Sequence, residues 1–214
     1  MSVGKIIIVS GPSGVGKGTV LREVMRQNPS LQFSVSATTR PIRPKEVEGV
    51  NYFFVDKTNF EQMISDGQML EYALYADNYY GTPLLAVEAA LARGISVVLE
   101  IEVQGALQVM KRRPDALSIF IAAPSFDELK KRLEGRGDTP PEIAAKRLLA
   151  ARWEYEQALS YQYILVNDSI DRAVSEFNAI LSAENCADVS IEDAARHAEA
   201  CKTKNRKNIV MEVS

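Results

Sequence analysis

The sequence predicts an α/β fold: a three-layer phosphate-loop core around a parallel five-stranded sheet, with an inserted mixed β-rich lobe and a small helical lid. Three observations predict it. Residues 6–19, IIIVSGPSGVGKGT, place a β-branched run directly before a glycine-rich turn and a helical pattern. Apolar strand-like runs recur at 95–103, 116–122 and 163–167 with helical segments between them. The αβ alternation breaks off over residues 34–83, where short strand-like runs dominate.

Taken in order, Ile6 to Val9 are four consecutive β-branched residues, suited to a strand buried on both faces. From Thr19 the chain turns helical, with Leu21, Val24 and Met25 on one side, and stops near Asn28-Pro29. LQFSVS at 31–36 alternates as a short strand, and the proline-broken PIRPKEVEGV that follows Arg40 excludes a helix. YFFV at 52–55 reads as a strand and Thr58–Asp66 as a helix with Phe60, Met63 and Ile64 on one face. MLEYALYADNYYG has strand and turn character. A helix from Pro83 to Arg93 leads through Gly94 into ISVVLEIEV, read as one buried strand that runs to Val103 before Gln104-Gly105 ends it. ALSIFIA at 116–122 is the next strand, and 125–159 is charged helix broken by GRGDTPP at 135–141. YILVN at 163–167 and a helix over Ile170–Ala183 complete the core. The expected division is a core of 1–33, 84–124 and 160–184, an insertion of 34–83, a lid of 125–159 and a tail from 185 with an Ala-rich helix capped at Ser190.

At 214 residues, 46% hydrophobic and 25% charged, the chain has the composition of one globular domain with room for an inserted lobe. A net charge of −3 supplies no broad positive field, which argues against a nucleic-acid polymer as partner. No apolar run approaches membrane-spanning length and the chain enters a core strand at once, so the expectation is a cytoplasmic protein without membrane contact. The two cysteines, Cys186 and Cys201, lie in the tail and fit a reducing compartment. With His197 they are three potential ligands without a tight Cys pair, and they are read as tail residues, not as a metal site.

The chemistry begins at Gly11-x-x-x-x-Gly16-Lys17. A loop from Gly11 through Pro12, Ser13, Gly14, Val15, Gly16, Lys17 and Gly18 to Thr19 turns backbone N–H groups toward phosphate oxygens. The helix N-terminus adds its positive end and Lys17 a mobile point charge, so the natural ligand is a polyphosphate. Gly18 stands where a Ser or Thr would normally help hold magnesium, and Thr19, one place on, is the available hydroxyl. Glu100 and Glu102 are carboxylates at i and i+2 at the carboxyl end of an apolar strand, where open α/β sheets bind ligands. There they could orient magnesium waters or accept from a substrate donor; a frayed strand end with two solvated acids is the plainer reading. Arg132 and Arg136 share a helix face and Arg147 follows the break. Most such charges are simply solvated, yet a lobe hinged at Gly135 and Gly137 could close over a triphosphate.

GPSGVGKGT, SATTRPIRPKEVEG, LEYA, NYYGT, LEIEVQG, KKRLEGRG and VND stand in the order and spacing of guanylate kinases, and the chain resembles that family over about residues 4–184. The resemblance implies transfer of the γ-phosphoryl group of ATP to GMP, giving ADP and GDP in purine nucleotide metabolism, with Mg2+ on the ATP phosphates. The residues that match the family's GMP contacts are Ser36, Arg40, Arg43, Tyr52, Glu71, Tyr80 and Thr82. Arginines and tyrosines hold the 5'-phosphate. Glu71 accepts from guanine N1–H and the 2-amino group, Ser36 and Thr82 face O6 or neighbouring atoms, and Glu102 assists the base edge. Arg132, Arg136 and Arg147 match the lid arginines, which with Lys17 form the catalytic set; Asn167 falls in the loop expected near adenine. Thr19 and Glu100 are the expected magnesium contacts, the latter through water. Glu100 and Glu102 stand where many members have Asp. A homodimer is one admissible assembly. The resemblance also admits a scaffold-type domain that binds phosphopeptides through the former GMP site, or a kinase for another nucleoside monophosphate. Intact Lys17 and lid arginines argue against the former. Glu71 argues against the latter, because adenine N1 offers a lone pair and no proton.

Overall fold

The computed structural model describes residues 4–75, 77–135 and 141–184. Arg136, Gly137, Cys186, His197, Cys201 and the predicted Ser190 cap lie outside the described residues. The strands are β1 (Ile6–Ser10), β2 (Leu31–Phe33), β3 (Ala37–Thr38), β4 (Phe53–Phe54), β5 (Met69–Tyr75), β6 (Asn78–Pro83), β7 (Ser96–Glu100), β8 (Leu117–Ala122) and β9 (Tyr163–Val166). The helices are α1 (Lys17–Gln27), α2 (Lys57–Ser65), α3 (Leu84–Ala92), α4 (Val103–Arg112), α5 (Phe126–Glu134), α6 (Pro141–Gln157) and α7 (Ile170–Ala183). They form a parallel five-stranded sheet, order β2-β7-β1-β8-β9, and a mixed four-stranded sheet, order β4-β3-β6-β5. By contact density the chain divides into two units: residues up to Ile8 with Gln32–Ala116, and Val9–Leu31 with Leu117 onwards.

The first unit carries the mixed sheet. β5 and β6 form an antiparallel hairpin, and β3 pairs antiparallel with β6 and parallel with β4. Ala37, Phe60 and Met69 are its buried centre, with Phe60 stacked on Tyr79 at 5.1 Å between ring centroids. Helix α2 starts where Asp56 caps the Asn59 N–H at 2.8 Å and presents Phe60 to that centre. Within β5 the register shifts between Met69 and Glu71, so Leu70 is an extra residue without a partner on β6.

Two readings of the sequence are corrected here. LQFSVS supplies a strand of only three residues, Leu31–Phe33. ISVVLEIEV is not one strand: β7 stops at Glu100, Glu102 is the N-cap of α4, and Val103 opens that helix. The signal for α4 lies in Val103, Ala106 and Val109, buried at helical spacing, which the glycine at 105 obscures. On β5, Gln108 brackets Tyr72, its Nε2 donating to the Tyr72 carbonyl at 2.7 Å and its Oε1 accepting from the Tyr72 N–H at 3.3 Å. Arg112 Nη1 donates to the carbonyls of Met69 and Leu70 at 2.8 and 2.9 Å, satisfying the backbone that the bulge leaves over.

In the second unit α1 packs on α7 through a chain of amides. Asn28 Nδ2 donates to Asn178 Oδ1 at 2.8 Å and Asn178 Nδ2 to Gln27 Oε1 at 2.7 Å. β8 and β9 run parallel from Ile119↔Tyr163 to Ala122↔Val166, with β8 buried along its whole length. Ser125 caps α5 and Ser169 caps α7, each accepting from an N–H three residues on.

Candidate functional site

Each unit carries a concave site. In the second unit the loop 11–16 joins the last residue of β1 to α1. Gly11 has φ 145 and lies against the Ile121 backbone of β8, where a Cβ would overlap the carbonyl oxygen. Gly16 has φ 90, and a Cβ there would stand 2.6 Å from Asn167 Nδ2. These two positions demand glycine for conformation and for space. Asn167 Nδ2 donates to the Val15 carbonyl at 2.7 Å, and the Asn167 N–H to the Ala122 carbonyl at 2.8 Å. Asn167 thus ties the loop to the end of β8. The Lys17 ammonium donates to the carbonyl of Gly11, and to that of Pro12 at 3.2 Å, so the charge is held back over the loop. Ser13 and Thr19 are exposed, Thr19 in the first turn of α1 beside Gly18, which is exposed as well.

A cavity of about 470 Å³ adjoins this loop, lined by Gly14, Gly16, Arg132, Gly135 and the segment Asn167–Ile170. Arg132 is half-buried, and its Nε donates to Glu128 Oε1 at 2.9 Å, an i,i+4 pair along α5. Arg147 lies on α6, with its Nε buried and without a hydrogen-bond partner among the described residues.

In the first unit a cavity of about 350 Å³ is lined by Ser36, Arg40, Arg43, Tyr52, Glu71 and Tyr80, and also by Glu46, Glu100 and Glu102. Of the residues matched to GMP contacts, Thr82 alone is not on its wall. Thr82 is fully buried, and its hydroxyl donates to Glu71 Oε1 at 2.7 Å. The two are paired across β5 and β6, in a register that runs unbroken from the hairpin turn at Tyr75↔Asn78. Glu71 is 3% exposed, and burial pushes its carboxyl up from 4.5 to about 7, against the opposing pull of hydrogen bonds from the Thr82 hydroxyl and N–H. On α4, Gly105 leaves room for it: a Cβ there would overlap Glu71 Oε2 and stand 3.0 Å from its Cδ.

At the cationic wall Arg40 is 9% exposed and grips Glu46 with both terminal nitrogens, at 3.0 and 2.8 Å, while Nη1 also donates to the Pro41 carbonyl at 2.8 Å. Its guanidinium lies over Tyr52 and Phe54 at 5.4 and 5.7 Å. The hydrogen bonds from Arg40 and from the Arg43 N–H hold the Glu46 carboxyl below its usual range. Tyr52 packs edge-on to Tyr80, and burial raises its phenol. Glu100 and Glu102 are exposed and flank buried Ile101, so both acids reach the same cavity although only Glu100 belongs to a strand. Glu46 and Gly105 were not singled out in the sequence. Glu46 sits six residues from Arg40 in a loop without periodicity, and Gly105 contributes only an absence of atoms.

The arrangement can do two things: cradle a phosphate chain on backbone N–H groups and Lys17, and hold a second anion beside a buried carboxylate suited to paired donors. Among the described residues no group of three or more His, Cys, Asp or Glu side chains gathers to hold a metal, and no helix is long and apolar enough to cross a membrane.

The guanylate kinase family pattern matches residues 3–184. The chain is 51% identical over 187 residues to a guanylate kinase of Streptococcus pneumoniae, covering 86% of this chain and 90% of that one. It is 46% identical over 209 residues to a guanylate kinase of Thermus thermophilus, covering 98% and 92%, so similarity runs on past residue 184. The crystal structure of guanylate kinase from Anaplasma phagocytophilum matches with a TM-score of 0.69 and 35% identity, over 86% of this chain and 87% of that one.

Proposed function

The chain belongs to the guanylate kinase family and is a phosphotransferase of that kind, not its phosphopeptide-binding relative; from this we propose that it moves the γ-phosphoryl group of ATP to GMP with the residues described above. The observation that carries the reading is Glu71, a carboxylate sunk in the wall of a cavity that also presents Arg40, Arg43, Tyr52 and Tyr80. A buried acid supported by the hydroxyl and N–H of Thr82 still has acceptor capacity to fill, and the N1–H and 2-amino group of guanine supply two further donors. In this reading Ser36 and Glu102 line the base edge, Thr82 acts through Glu71, and the arginines and tyrosines hold the 5'-phosphate. Insertion 34–83 is the GMP lobe and 125–159 the lid.

ATP phosphates are assigned to the loop from Gly11 to Thr19, with Asn167 bracing that loop beside the nucleotide. A GMP phosphate oxygen is a competent nucleophile without a general base, so the protein's work is positioning and charge neutralisation. Lys17 exchanges loop carbonyls for phosphate oxygens, and Arg132, Arg136 and Arg147 meet charge on the transferring group. Magnesium would be carried on the ATP phosphates, neutralising their charge. The contacts assigned to it are the hydroxyl of Thr19 and, through water, the carboxylate of Glu100, each of them exposed. An ATP-consuming activity of this kind belongs in the cytoplasm. Initial rates of ADP formation with GMP, dGMP, AMP and UMP test the reading: turnover confined to the guanine nucleotides supports it, and equal turnover of AMP refutes it.

A further inference from the structure

The geometry points to Gly105 as a specificity-determining position that acts through Glu71, an inference that rests on the reading of Glu71 as the guanine acceptor. Glycine inside a helix is less stable than alanine by about 1 kcal/mol, so its presence as the third residue of α4 calls for a cause. The three heavy atoms nearest a Cβ built there all belong to Glu71: Oε2, overlapped outright, then Cδ at 3.0 Å and Cγ at 3.5 Å. No other side chain or backbone comes as close.

One of two partners must yield to an added methyl. Helix α4 is pinned by the paired hydrogen bonds of Gln108 to the Tyr72 backbone and by Arg112 on the Met69 and Leu70 carbonyls. Those anchors sit on either side of Glu71 in β5, so a retreat of the helix would break several bonds and leave buried backbone unpaired. Swinging the carboxylate away gives up only what Thr82 donates to it, from its hydroxyl and its N–H. Displacement of the carboxylate is therefore the cheaper response, and it moves the group assigned to guanine. The face Gly105, Gln108 and Arg112 thus fixes the acceptor in place, the glycine by clearance and the other two by holding the helix at that clearance.

The test is a double-mutant cycle on the full chain. Gly105→Ala should lower kcat/KM for GMP at least about tenfold, leave KM for ATP unchanged and narrow the preference for GMP over AMP. Glu71→Asp draws the carboxylate back by one methylene and should be impaired alone. In Glu71→Asp/Gly105→Ala the aspartate makes room for the methyl, so the combined loss should fall well short of the product of the single losses. A folded Gly105→Ala with wild-type KM for GMP and wild-type rejection of AMP would overturn the inference, as would losses that simply multiply. Should Gly105→Ala fail to fold, recovery of a cooperative unfolding transition in the double variant supports the contact and no recovery overturns it. Glu71→Gln run alongside separates the two levels. If it behaves as wild type, the reading of Glu71 falls. If it is impaired while Gly105→Ala is not, only the role of Gly105 falls.

Discussion

Thr82 donates its hydroxyl proton to Glu71 Oε1 at 2.7 Å, across a strand pair whose register runs unbroken from Tyr75↔Asn78 at the hairpin turn to Glu71↔Thr82. The bulge at Leu70 lies beyond that pair, so it shifts Met69 and not Glu71 relative to β6. A carboxylate in this position is a liability to the fold, since burial lifts its pKa from 4.5 to about 7.

The liability has a pH signature. The folded-state value lies above the unfolded one, so the folded protein binds the extra proton, and this group's contribution to stability declines as pH rises from 4.5 through about 7. Glu71→Gln does not titrate. Measured by urea unfolding without nucleotide, its stability relative to wild type should improve by about 2 to 3 kcal/mol between pH 5 and pH 8. A difference that stays constant over that range would mean Glu71 is ionised throughout.

Arg40 and Glu46 make the second prediction. The pair is mostly buried and bidentate, so Glu46→Gln should loosen the guanidinium and raise KM for GMP about tenfold, with little change in kcat. Preference for GMP over AMP should persist, because the base-reading wall is untouched. Steady-state kinetics decide it; a fall in KM would make Glu46 a competitor for Arg40 and not its brace.

What the sequence made legible follows the same physics. The loop at Gly11–Lys17 and the helix Ile170–Ala183 are written in local patterns, because glycine placement and apolar spacing need no distant partner. Glu71 itself was reached through the resemblance. Its pairing with Thr82 depends on the hairpin's register, Gly105 on a clash that never happens, and Glu46 on a loop that brings it back to Arg40. Each is a tertiary relation with no period of its own. The strand and helix at 96–112 were merged for the opposite reason, a continuous apolar run crossing a boundary that only backbone geometry marks.

Lys17→Ala should reduce kcat by at least about 100-fold, because the charge matters most while the phosphoryl group is in flight. GMP binding, followed by calorimetry, should survive, since the first unit contains every lining residue of that cavity. Near-normal turnover in the folded variant would remove the loop from ATP binding.

Arg147→Ala should slow single-turnover phosphoryl transfer at least about tenfold while barely lowering the melting temperature. Its buried Nε has no partner among the described residues, so truncation removes an unsatisfied donor along with some packing. Wild-type single-turnover chemistry would take the side chain out of the reaction.

The central claim is that the Glu71 carboxylate reads guanine, and kcat/KM for GMP and AMP in wild type and Glu71→Gln tests it most directly. Wild type should favour GMP by about 10⁴ or more, as sites built around substrate donors do. The amide keeps the shape but replaces one acceptor oxygen with a donor, so GMP use should fall at least about tenfold and the gap to AMP should narrow. Full GMP activity together with full rejection of AMP in folded Glu71→Gln would contradict the account and move guanine recognition elsewhere, with Glu102 the next residue to change.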